Sequence, residues 1–245
     1  MRKVIAIVGA LVLVLAAAGA SHAVLLSDLL NGGSITAGDK LFDNWSLVNY
    51  MASDSARTFN AANIDVTALT GGGLDPGPGL SFTVSNKELS VTGDGIYAFV
   101  DLMFGFKVSV LDPNYKIKDN TLAYEPGGAM LSWLVDGSYD LGNYIREEIG
   151  TAPGQNDLGT KNIEFSILGL PDSQTSKFTD SASFAPQSEI WVTKNILVWS
   201  VDTTDTSAIY GFGQHFSQIP VGLPEPGMLS LLALGGIALL SFKRS

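Results

Sequence analysis

Seventeen Asp and seven Glu dominate the reactive side chains of this chain, against two His and no Cys. A pair of carboxyls is all that glycoside hydrolysis requires, their separation choosing between inversion and retention. Glu147 and Glu148 are neighbours, so on a strand they point to opposite faces and cannot line one cleft together. Glu125, Glu164 and Glu189 are the other candidates, and nothing in the sequence brings two of them together; solvated positions are the expectation. His215, between Gln214 and Phe216, reads as a partly buried structural residue, and no Gly-x-Ser-x-Gly elbow accompanies it. There is no His-Glu-x-x-His motif, P-loop or dinucleotide fingerprint, and Gly71-Gly72-Gly73 reads as a turn. Without cysteine there is no disulfide, thiolate zinc site, iron–sulfur cluster or thiol nucleophile. Asp136/Asp140 and Asp202/Asp205 stand close enough in sequence for a calcium site, yet match no EF-hand, and turns are the expectation. No catalytic residue, metal ligand or cofactor is therefore assigned.

Trp45, Trp133, Trp191 and Trp199 offer a different chemistry, because flat rings stack on sugar faces. Core packing is the expectation for all four. Trp191 and Trp199 are eight residues apart and share a face if their strand is unbroken.

Strands must position these side chains. From Ile96 to Val110 every even residue is apolar, which is period two over one long strand or two strands joined at Gly105. Shorter alternations recur at Ile64-Val66-Ala68, Leu80-Phe82-Val84 and Ile163-Phe165-Ile167. Ile190–Val201 is densely apolar, and Ala208–Phe216 carries Tyr210 and Phe212 in step. Leu141–Ile149 is the nearest thing to a helical stripe, but alternates almost as well. Turn signals such as Asp75-Pro76-Gly77-Pro78-Gly79, Gly93-Asp94-Gly95 and Glu125-Pro126-Gly127-Gly128 separate the runs. Ten to twelve strands at this spacing predict an all-β chain, a single β-sandwich or jelly-roll-like domain over 24–220.

Both ends differ from this body. Arg2 and Lys3 precede an apolar run, Val4–Ala18, and then Gly19-Ala20-Ser21-His22-Ala23. That order is a secretory signal peptide over 1–23, with cleavage after Ala23 favoured over Ala20. At the other end Pro224-Glu225-Pro226-Gly227 opens onto fifteen uncharged residues, Met228–Phe242, closed by Lys243-Arg244-Ser245. As a helix these residues would span roughly 22 Å, short of a hydrocarbon core of about 30 Å unless the terminal cations snorkel. Removing the four terminal cations leaves 203 residues, Val24–Pro226, with 10 Lys+Arg against 24 Asp+Glu, formally −14. Such a body repels nucleic-acid phosphates.

Pro224, Glu225 and Pro226, the following helix at 228–242 and the basic stop of Lys243 and Arg244 together resemble the PEP-CTERM sorting signal of exported proteins in Gram-negative bacteria that make exopolysaccharide. The tail has only two cations and ends in Ser245, shorter than the usual pattern. The resemblance implies a sorting segment over 221–245, signal peptidase and an exosortase as processing enzymes, and a precursor held in the inner membrane by the C-terminal helix. The processed protein would then reach the cell surface or the extracellular matrix. More weakly, Leu29–Phe42, Gly77-Pro78-Gly79-Leu80 and Gln214-His215-Phe216-Ser217-Gln218 resemble a group of PEP-CTERM proteins that share this β-rich body and have no assigned reaction. The expected role is structural or adhesive, associated with exopolysaccharide and without catalysis. The alternative is a carbohydrate-binding module-like protein that retains exopolysaccharide, and after it a carboxylate-dependent glycoside hydrolase. Exposed Trp or Tyr on one sheet face would favour binding, and two carboxyls facing each other in a cleft would favour hydrolysis.

Overall fold

Period-two patterning becomes antiparallel strands throughout the described part of the chain. The computed structural model describes residues 23–134, 139–169 and 173–222. The expected signal peptide over 1–23, apart from Ala23 itself, the motif Pro224-Glu225-Pro226, the helix expected at 228–242 and Lys243-Arg244 lie outside the described residues. Among those described, no helix is long and apolar enough to cross a membrane. The strands are β1 (Val24–Leu25), β2 (Ile35–Ala37), β3 (Lys40–Ala52), β4 (Ile64–Leu69), β5 (Gly79–Val84), β6 (Ser90–Thr92), β7 (Ala98–Val110), β8 (Tyr115–Tyr124) and β9 (Ala129–Ser132). They continue as β10 (Tyr139–Gly150), β11 (Gly159–Gly169), β12 (Gln174–Lys177), β13 (Thr179–Gln187), β14 (Glu189–Ser200), β15 (Thr206–Ile209), β16 (Gly211–His215) and β17 (Gln218–Pro220). One short helix, α1 (Leu26–Leu30), buries Leu26 and Leu29, three residues apart on one face.

The fold is a β-sandwich. One seven-stranded sheet runs β1-β4-β5-β16-β8-β13, with β17 also on β8; the other runs β12-β11-β10-β14-β7-β3-β2. A small third sheet, β6-β15-β9, has its own ladder and packs against β10 and β14, with Asn143 Nδ2 donating to Ser207 Oγ of β15 at 3.1 Å. β7 continues through Gly105 as one strand, because Gly105 pairs with Thr193 on one side and Ser46 on the other. Its even residues from Ala98 to Val108 are buried, whereas Ile96 precedes the strand and is 82% exposed. The segment 141–149 is strand rather than helix: Leu141, Asn143, Ile145, Glu147 and Ile149 point inward and are buried, while Tyr144, Arg146 and Glu148 face out. Tyr210 does not stay in step. It sits exposed at the break between β15 and β16.

Between the sheets Trp45 stacks on Phe106 at 4.4 Å and Phe82 on Phe212 at 4.6 Å, with Phe104 beside both. Trp45 reaches this cluster through a bulge in β3, where Asn44 takes a positive φ of 53°. Three segments distant in sequence converge beside it. Gly79 pairs with His215, the Phe216 N–H donates to Pro78 O at 3.0 Å, Phe42 packs on Phe216 at 5.5 Å, and Lys40 Nζ donates to the Gln218 side chain. A Cβ on Gly79 would stand 1.8 Å from Gln214 O, so only glycine lets these strands close.

Candidate functional site

Strand register dictates what the outer face of the β12-to-β2 sheet presents. One row across neighbouring strands reads Asp101, Leu197, Tyr144, Glu164, Lys177. The next reads Met103, Asn195, Arg146, Asn162, and a third Gly105, Thr193, Glu148, Thr160. Trp191 follows, between Lys107 and Gly150. Apolar residues of the same strands are spent on the core, so polar and aromatic groups collect here.

This face is grooved. A cavity of about 670 Å³ is lined by Tyr144, Arg146, Asn162, Glu164, Lys177 and Asp180. It shares Tyr144 and Arg146 with a second of about 350 Å³, which adds Asp101, Glu148, Thr193 and Asn195. A third, about 180 Å³, continues past Met103 and Glu148 to Trp191 and Pro153. At that end the loop after β10 closes on the sheet, because Gly150 has no side chain to meet Gln155 O, 2.3 Å from where a Cβ would stand. Thr151 braces the loop, its N–H and hydroxyl donating to Asp157 at 2.9 and 2.8 Å. The N–H bond, with the hydroxyl, holds the exposed Asp157 carboxyl below its usual range.

Groove side chains are held in fixed orientations. Tyr144 Oη donates to Asn195 Oδ1 at 2.8 Å, and Asn195 Nδ2 donates to Asp101 Oδ1 at 2.8 Å. Partial burial pushes the Tyr144 hydroxyl above its usual pKa, so it remains a donor at neutral pH. Arg146 pairs with Glu148 at 3.0 Å, Glu164 accepts from Ser166 Oγ at 2.6 Å, and Lys177 pairs with Asp180 at 2.7 Å. Burial works to raise Asp180, but Lys177 and the Asn162 N–H outweigh it and hold the carboxyl low.

The four tryptophans divide. Trp45 is core, as expected. Trp191 and Trp199 share the outer face of β14; Trp199 is nonetheless buried, its ring lying over Gly142 and its Nε1 donating to Asp140 at 2.8 Å. Trp191 and Trp133 are only partly buried, contrary to the expectation of core packing. For Trp191 the reason is parity: odd positions of β14 face outward while Ile190, Val192, Ile196 and Val198 fill the interior.

Other candidates scatter. His215 Nδ1 lies 2.8 Å from Gly77 O, a structural contact. Glu125 follows β8 and accepts from Ser81, Glu164 lies on β11, and Glu189 starts β14. Asp205 is buried and accepts from the Leu134 N–H at 3.3 Å, and Asp136 is outside the described residues. Among the described residues no group of three or more His, Asp or Glu could hold a metal ion. The solvated reading fails for Glu147, which is fully buried. Tyr144, Asn195, Thr193 and Arg146 escaped the sequence reading. Their only signal was the polar phase of two alternating runs.

No protein-family profile matches the chain, and no curated protein matches it in sequence. Among solved structures it is similar to TmCBM61 in complex with β-1,4-galactotriose, at 10% identity and a TM-score of 0.23, covering 73% of this chain and 89% of that one. It is also similar to TmCBM27, a carbohydrate-binding module with specific mannan recognition, at 13% identity and a TM-score of 0.27, covering 70% and 88%. The endoglucanase Cel12A of Rhodothermus marinus gives 9% identity and a TM-score of 0.20, covering 73% and 99%. At these scores the similarities carry no argument about ligand or mechanism.

Proposed function

We propose that the sandwich binds a polysaccharide chain along the outer face of its β12-to-β2 sheet, without cleaving it, in a protein exported and sorted by a PEP-CTERM signal. The observation that carries this is the run of cavities with shared walls from Lys177 to Trp191, which has oriented amide, hydroxyl and guanidinium groups along its middle and a partly exposed indole at one end. A pyranose ring offers C–H groups on its faces and hydroxyls around its rim. The first suit the negative face of an indole, the second a planar amide or a guanidinium. Tyr144, Asn195 and Asp101 are already aligned by their own hydrogen bonds, which lowers the ordering cost of binding. The carboxylates of the groove are engaged: Asp101 holds Asn195, Glu148 holds Arg146, and Glu164 accepts from Ser166. That commitment suits orientation of a ligand better than acid–base turnover.

The export half of the proposal rests on the order of Pro224-Glu225-Pro226, apolar run and terminal cations. In this reading the mature body retains exopolysaccharide at the cell surface. Affinity electrophoresis of the purified chain through gels containing bacterial exopolysaccharide, mannan or galactan tests binding, and retardation weakened in Asn195→Ala is expected. Unretarded migration in every gel would overturn it. Intact masses from hosts with and without the exosortase test sorting; loss of the segment after Pro226 only where the enzyme is present is expected, and identical masses would overturn it.

A further inference from the structure

Inside the sandwich, register lines up a second row, Phe104, Lys194, Glu147, Lys161 on β7, β14, β10 and β11, of which Lys161 alone also borders the groove. The three charged side chains are completely buried, and apolar rows flank them at Leu102-Ile196-Ile145-Ile163 and Phe106-Val192-Ile149. Glu147 Oε2 accepts from Lys194 Nζ, and Glu147 Oε1 accepts from Asn120 Nδ2, which reaches across from β8 of the opposite sheet. Amine and amide thus sit on the two oxygens of one carboxylate. Lys161 Nζ approaches Oε1 at 3.1 Å. The Lys194 ammonium lies 5.6 Å from the centre of the Phe82 ring and 5.5 Å from that of Phe212. Asn120 is fully buried and its Oδ1 has no hydrogen-bond partner.

A buried amine, a buried carboxamide and a carboxylate bridging them are the components of an acyl transfer. We propose that Lys194 and Asn120 condense into an isopeptide bond, with Glu147 as proton carrier, stapling β14 of one sheet to β8 of the other. Lys194 Nζ first passes a proton to Glu147, which makes the amine nucleophilic; the Asn120 amide then turns about Cβ–Cγ, so that its unpartnered Oδ1 accepts from the protonated carboxyl in place of the Nδ2 contact. Nζ then attacks Cγ, the Cγ–Nδ2 bond breaks, and Nδ2 leaves as ammonium, having received through Glu147 the two protons that the Lys194 ammonium gives up in becoming an amide N–H. The products are a Nζ–Cγ amide, one ammonium ion and an unchanged Glu147 carboxylate. Nothing is oxidised or reduced, and no co-reactant is consumed.

The surroundings favour each step. Burial lowers the Lys194 pKa below the usual lysine range against the opposing pull of Glu147, which eases loss of the first proton. Burial also pushes Glu147 up, although Lys161 and Lys194 together hold it lower than usual, so a proton placed on it is readily passed on. Fixing both reactants on a single carboxylate supplies the orientation that a bimolecular amidation lacks. The product removes a buried charge from the core. It also gives this cysteine-free chain a covalent tie between its sheets, which a cell-surface protein elsewhere obtains from disulfides.

The test is proteolytic mapping by mass spectrometry of the purified full chain, folded and incubated until its mass is constant. A branched peptide joining the segments of residues 120 and 194, lighter than their sum by one ammonia, is expected. Asn120→Asp should give the same branched product by losing water instead. Asn120→Ala should remain linear at its sequence mass while keeping a strand-rich circular dichroism spectrum. Separate linear peptides of full mass from the folded wild-type chain would overturn the proposal, and so would a branch at Lys161. The outcome does not depend on whether the outer groove binds polysaccharide.

Discussion

Two tryptophans should separate stability from binding. Trp45 is 6% exposed, ringed by Phe82, Phe104 and Phe106 at centroid distances of 6.4, 6.3 and 4.4 Å, and donates Nε1 to Phe42 O at 3.2 Å. Trp45→Ala empties a site that the bulged β3 cannot collapse into, at a cost of about 3–5 kcal/mol. Against a total of about 5–15 kcal/mol this is a large share, and for a body of this size it lowers Tm by roughly 6–20 °C. Trp191 stands on the outer face, so Trp191→Ala should cost about 1 kcal/mol of stability or less. As an aromatic anchor it should carry about 2 kcal/mol of binding, about thirtyfold in Kd at 1.4 kcal/mol per decade. Thermal melts by circular dichroism and titration calorimetry with the polysaccharide that retards the chain in gels provide both numbers for both variants. The reasoning fails if Trp191→Ala binds as tightly as the wild type. It fails equally if Trp45→Ala melts within about 2 °C of it.

Further outcomes follow from single sites. Asn195→Ala removes the middle of the Tyr144-Asn195-Asp101 chain and frees the Tyr144 hydroxyl; calorimetry should show an affinity loss of about 1–1.5 kcal/mol with the melt nearly unchanged. Burial lowers Lys161 from its ordinary value of 10.5 to about 8, so the unfolded chain holds the extra proton between those pH values. The penalty for burying that ammonium is in full force below pH 8 and is relieved as pH rises toward 10.5, so urea melts should show stability climbing by up to about 3 kcal/mol over this window. A flat profile would assign Lys161 an ordinary pKa. Gly77 has a φ of +76°, and an added Cβ would stand 2.1 Å from Phe216 O, whereas Gly127 at +72° has nothing within 4 Å. Gly77→Ala should cost well over about 1 kcal/mol in denaturant midpoint, while Gly127→Asn should stay within about 0.5.

Much of the architecture was legible because a strand's side-chain period is two and a buried face enforces it. The even residues of Ala98–Val108 and the alternations at Ile64, Leu80 and Ile163 needed only that rule. Where local patterning met an edge or a break it failed, as at Ile96, exposed just before β7, and at Tyr210, where two strands part. Trp191 and Trp199 shared a face as their spacing required, but spacing does not say which face is covered. Charged residues in the apolar phase, Glu147 in Leu141–Ile149 and Lys194 in Ile190–Val198, were passed over, because period two says which way a side chain points and not what meets it there.

Composition and local pattern established the all-β body, its strand phases and its acidic balance, because each depends on the residue types or on residues close together in the chain. Which strands became neighbours is a long-range matter. The β10-β14-β7 order places Tyr144, Asn195 and Asp101 in one hydrogen-bonded chain, although their residues span 94 positions between Asp101 and Asn195 alone. The same pairing sets Lys194 and Lys161 on either side of Glu147, and the packing of one sheet on the other brings Asn120 to its second oxygen. Hydrophobic periodicity specifies only that a side chain points inward or outward. Its partner is chosen by register and sheet packing, which the whole chain fixes together.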